Sequence, residues 1–94
     1  MKGKSDPDAR WKASSDAAWR RVGEEIVVLH LPSSEYFTLN ETAAFVWEAL
    51  VGGASALLAA ERLSRAYDVE PERAARDARA LLDQFLDAGL LVAR

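Results

Sequence analysis

The sequence holds one histidine, His30, and no cysteine, which leaves few groups able to do covalent or acid–base chemistry. His30 falls in the apolar run 26–31. A general base needs a positioned partner and a site, and a lone histidine in a strand more often packs or meets solvent. No second histidine or cysteine completes a metal set, so no metal ligand is expected. Gly52 and Gly53 lack the spacing and the lysine of a phosphate loop. Ser14, Ser15, Ser33, Ser34, Ser55 and Ser64 fall at turns, at a cap or in a helix, without a triad pattern. The carboxylates Asp77, Asp83 and Asp87 lie close together in sequence. Asp77 follows Arg73 by four residues and Asp83 follows Arg79 by four, the spacing of ion pairs along one wet helix face. The expectation is a protein that is not an enzyme, with no catalytic residue and no cofactor.

Arg73, Arg76 and Arg79 recur every third residue. In a helix-turn-helix domain, such a helix would enter a major groove. The same stretch carries Glu70, Glu72, Asp77, Asp83 and Asp87, and the whole chain has a net charge of −3. A domain that binds a polyanion usually carries a basic excess, so no nucleic-acid partner is expected. No apolar run approaches the roughly 18 residues of a membrane span, so no membrane partner is expected either. Lys2 and Lys4 have no apolar stretch behind them, unlike a signal peptide. With no cysteine to oxidise, the composition fits a cytoplasmic location.

The elements that must position any site follow from punctuation. At 94 residues the chain is one domain's worth. Residues 1–16 are polar and read as a flexible N-terminal tail with Trp11 as the one anchor, leaving 17–94 as the folded domain. Residues 17–22 alternate as a short strand, Gly23 and Glu24 turn the chain, and 26–31 is a β-branched and apolar strand. Pro32, Ser33 and Ser34 make the next turn, and 35–39 resumes as a strand. Asn40 caps a helix with Ala43, Val46, Trp47 and Leu50 in one apolar stripe. Gly52 and Gly53 end it, Ser55 caps a second helix running to about Tyr67, and Pro71 opens a third that Gly89 stops. Strands followed by helices argue an α+β fold: a three-stranded antiparallel sheet, then a three-helix bundle like a winged helix-turn-helix.

If the strands lie in sequence order, the third is an outer strand. It reads Glu35, Tyr36, Phe37, Thr38, Leu39, with none of the lysines or prolines that usually blunt an edge. Either the protein covers this edge itself, or an extended peptide adds a strand there.

The run VVLHLPSSEYFTLNETAAFVWEAL, followed by ERLSRAYDVEPERAARDARALLDQFLDAGLL, resembles the PqqD-like family of recognition elements for ribosomally synthesised precursor peptides. The marks are Leu29, Tyr36 with Phe37, Leu39 with Asn40, Thr42 with Ala43, Trp47, Gly52, Leu63, Tyr67, Asp77, Leu82 and the closing Gly89, Leu90 and Leu91. They span about residues 19–92. The resemblance implies a peptide chaperone that binds a precursor's leader as a strand added beside 35–39. Leader side chains would sit between that strand and the third helix. The implied site is Glu35, Tyr36, Phe37, Thr38 and Leu39 on the strand, with Arg76, Asp77, Ala80, Leu81 and Gln84 on the helix. The turn before the third strand and Trp47 depart from the pyrroloquinoline-quinone branch. A short stand-alone chain looks more like the leader-binding proteins of lasso-peptide biosynthesis. That implies two protein partners, a separate leader peptidase of the cysteine-protease type and a cyclase. A peptide chaperone of another such pathway and a winged-helix DNA-binding protein are the alternatives.

Overall fold

A computed structural model of the chain describes residues 8–94. Five strands and three helices follow in the order β1 (Trp11–Ala13), β2 (Ala17–Val22), β3 (Glu25–His30), β4 (Glu35–Leu39), α1 (Glu41–Val51), α2 (Ala56–Tyr67), α3 (Pro71–Asp87) and β5 (Leu91–Ala93). The fold is α+β. Its main sheet is antiparallel in the order β2-β3-β4, so β4 is an edge strand.

Period two sorts the sheet into faces. Ile26 and Val28 on β3 and Leu39 on β4 are buried, and Phe37 is half-buried beside them. They pack with α1, whose Val46, Trp47 and Leu50 are fully enclosed. Burying a side chain of that size stabilises a fold by about 1.5–3 kcal/mol. Trp47 is the hub. Its ring meets Trp19 of β2 edge-on at 5.8 Å and Phe85 of α3 edge-on at 5.1 Å. One aromatic line thus joins the sheet, the first helix and the last helix. Outside it, the Arg21 guanidinium donates to the Glu48 carboxylate, and the Tyr67 hydroxyl donates to Glu41 at 3.0 Å. The hydrogen bond to Glu48 raises the Arg21 pKa, while burial and then the Glu41 bond raise that of Tyr67.

The helix boundaries have local causes. Asn40 accepts from the Ala43 N–H at 3.0 Å, and Ser55 accepts from Leu58 N–H at 3.2 Å, each satisfying an otherwise orphaned donor. Pro71 occupies the first turn of α3. At its other end, Gly89 N–H donates to the Leu86 carbonyl and Leu90 N–H to that of Phe85, the paired bonds of a Schellman stop. Gly89 sits at φ +76°, and a Cβ there would come within 3.1 Å of His30 Nε2.

The N-terminal reading needs correction. Residues 1–7 of the expected tail lie outside the described residues. Trp11–Ala13, however, is a strand paired antiparallel with Leu91–Ala93, which together form a second, two-stranded sheet. Trp11 is buried, Ser14 N–H donates to the Leu90 carbonyl, and Arg94 donates to the carbonyls of Trp11 and Val51. Order here comes from a partner some eighty residues away, which a polar local composition cannot reveal.

Candidate peptide-binding cleft

The phase of the ladder decides what β4 offers. Leu31 N–H donates to the Asp16 carbonyl at 2.8 Å, continuing the β2–β3 pairing past its last bridge. Bonded and non-bonded pairs alternate in an antiparallel ladder. Hence Val27 and Leu29 direct their main-chain groups at β2, and Ile26, Val28 and His30 direct theirs at β4. Their register partners Leu39, Phe37 and Glu35 bond inward. Tyr36 and Thr38 are left with N–H and C=O pointing off the sheet, two donors and two acceptors on an exposed strand.

Beside this edge runs α3, and two hollows lie between them. One, of about 450 Å³, is bounded by Thr38, Leu39 and the start of α1 on one side and by Asp77, Ala80, Leu81, Gln84 and Phe85 on the other. The second, of about 690 Å³, is bounded by all of Glu35–Leu39, by Gln84 and Phe85, and by Asp87, Ala88 and Leu90 at the end of α3. They share Thr38, Leu39, Gln84 and Phe85, so they form one continuous cleft. Strand and helix run in opposite senses along it, with Glu35 beside the end of α3 and Leu39 beside its middle.

All five strand residues named from the sequence line the cleft, as do Asp77, Ala80, Leu81 and Gln84. These four fall at i, i+3, i+4 and i+7, the stripe one helix face presents. Arg76 is not among the lining residues: at 3.6 residues per turn it lies about 100° around the helix from Asp77. Asn40, Thr42, Ala43, Phe85, Asp87, Ala88 and Leu90 line it and were not expected. Phe85 and Leu90 are buried in the core, and only the packing shows that they also border the cleft. His30 is no part of the lining. Its Nδ1 lies 2.7 Å from Ser33 Oγ, and its Nε2 is turned toward Gly89. Among the described residues, no cluster of three or more His, Cys, Asp or Glu could hold a metal ion.

The fold and this cleft define a small α+β domain whose sheet keeps one edge open beside a helix. The model of the family described as coenzyme PQQ synthesis protein D (PqqD) matches residues 25–91, and the chain belongs to that family. Two solved structures are similar over most of the chain. One is TbiB1 in complex with the TbiA(beta) leader peptide, 26% identical, covering 85% of this chain and 93% of that one, with a TM-score of 0.79. The other is a lasso peptide synthetase B1 complexed with the leader peptide, 29% identical, covering 88% and 98%, with a TM-score of 0.81. No curated protein matches the sequence.

Proposed function

We propose that this protein is a non-catalytic binder of precursor leader peptides in lasso-peptide biosynthesis. It holds the leader as a strand added to β4 on a winged helix-turn-helix scaffold and presents it in the cytoplasm to a separate cysteine-protease leader peptidase and a cyclase. One observation carries the reading: among the described residues, the main chain of Tyr36 and Thr38 is unpaired beside a cleft with an apolar floor, in a chain whose solved relatives hold leader peptides. Main-chain bonds to Tyr36 and Thr38 supply affinity, and alternate leader side chains enter the hollows and supply selectivity. A free leader orders only on binding, so the interface is modest, near or below about 1,200 Å². Aromatic or aliphatic leader residues over Leu81 and Phe85 act as anchors. Tethering the leader raises its local concentration at the peptidase without touching the bond that is cut.

The test is titration of a fluorescently labelled leader, taken from the precursor frame beside this chain, into the wild-type protein and Thr38→Pro. Proline removes one edge donor and crowds the incoming strand. Loss of binding with unchanged helical circular dichroism is expected; unchanged affinity overturns strand addition. The family model's description favours a second reading, a peptide chaperone of another pathway. Neighbouring frames separate the two: an asparagine-synthetase-like cyclase beside a protease marks the lasso class.

A further inference from the structure

The cleft is electrically one-sided, and this bears on which peptides it accepts. Among the described residues, its lining includes Glu35, Asp77 and Asp87 and no lysine, arginine or histidine. The carboxylates are not equivalent. Asp77 stands 3.7 Å from the Arg73 guanidinium, so the end of the cleft beside the middle of α3 is locally balanced. Glu35 and Asp87 lie at the opposite end, where β4 begins and α3 finishes. There the helix dipole adds its negative pole, and no basic residue stands in the last turn of α3 to offset it. An aspartate in a last helical turn goes against the usual placement of charge, so Asp87 deepens the negative end of the cleft at a cost to its helix. His30, opposite Glu35 in the ladder, has its Nδ1 2.7 Å from Ser33 Oγ and is not among the lining residues.

We infer that the cleft selects peptides carrying a lysine or arginine at the end lying beside Glu35 and Asp87, next to the apolar anchors. The inference rests on the docking reading above. A cation there faces two carboxylates and a helix C-terminus, partly shielded by the apolar floor. An acidic side chain in its place meets repulsion from all three. Because Glu35 marks one end of β4, the cation also fixes the direction in which the peptide lies.

The experiment uses the full chain and a phage-displayed library of random twelve-residue peptides. Binders that fail to bind Thr38→Pro are kept, and one is synthesised with a fluorescein label. Enrichment of lysine or arginine on one side of an apolar motif is expected. Replacing that cation with glutamate should weaken binding about tenfold at low salt. The double variant Glu35→Gln with Asp87→Asn should erase the preference, and Asp87→Lys should reverse it. Stability should move the opposite way, with Asp87→Asn raising Tm by about 1–4 °C as the clash with the helix dipole is relieved. Binders that dock on β4 yet tolerate lysine, glutamine and glutamate alike overturn the charge inference and leave the docking reading standing. Weaker binding by Asp87→Asn together with a lower Tm also overturns it, since Asp87 would then be structural. Recovery of no binder that depends on Thr38 overturns the docking reading itself.

Discussion

Single residues in this fold divide into those that hold the cleft open and those that face it. Trp47 belongs to the first kind: fully buried, it stands between Trp19 and Phe85, and Phe85 is also cleft floor. Trp47→Ala should cost about 3–5 kcal/mol in chemical denaturation, a cavity effect in the core. Trp47→Phe should cost clearly less, because it keeps an aromatic ring and deletes an Nε1–H without a partner among the described residues. Gly89 is the second case. Alanine there would take up φ +76° with its Cβ close against His30, at a cost of about 1–2 kcal/mol from the backbone alone. A urea titration of Gly89→Ala checks this, and a variant as stable as wild type would show the Schellman stop to be soft. Of the cleft residues, the strand Glu35–Leu39 was legible in the sequence as an edge without lysine or proline. Asp77, Ala80, Leu81 and Gln84 came only through the resemblance to the PqqD-like family, which also implied Arg76, a residue outside the lining. Phe85 and Leu90 were not legible, because a buried apolar residue carries no mark in the sequence of bordering a cleft.

The elements reveal a contrast within β4. Its odd residues Glu35, Phe37 and Leu39 bond to β3, and its even residues Tyr36 and Thr38 do not. Proline should therefore act oppositely at neighbouring positions. Phe37→Pro removes a ladder bond and a half-buried ring and should unfold the sheet, read as lost near-ultraviolet dichroism and a collapsed melting transition. Thr38→Pro should melt within a few degrees of wild type while losing the peptide. Greater damage from Thr38→Pro than from Phe37→Pro would mean that the ladder has the other phase. The three strands of the main sheet and all three helices were readable because each is bounded by local chemistry: Gly23, Pro32, Asn40, Ser55, Pro71 and Gly89. The strands β1 and β5 were not. Three residues are too few to show a period, and their reason for being strands lies in each other.

At the scale of the whole molecule, β1 and β5 form a clasp over the core, with Trp11 beneath it and Arg94 tying it to the end of α1. Removing residues 1–13 should cost about 3–5 kcal/mol, most of it the buried Trp11, measured by the shift in urea midpoint. Neither strand contributes a lining residue to the cleft, so leader affinity at low temperature should survive the truncation. Trp11 pairs with Ala93, so the first and last strands of the described residues lie side by side, roughly 5 Å apart between Cα atoms. A unit whose outer strands meet in this way can be spliced into a surface loop of another protein through short spacers without stretching its host. The same geometry permits circular permutation: joining these two strands with a few glycines and reopening the backbone at the Gly23 turn alters the order of the chain while leaving every contact of the cleft in place.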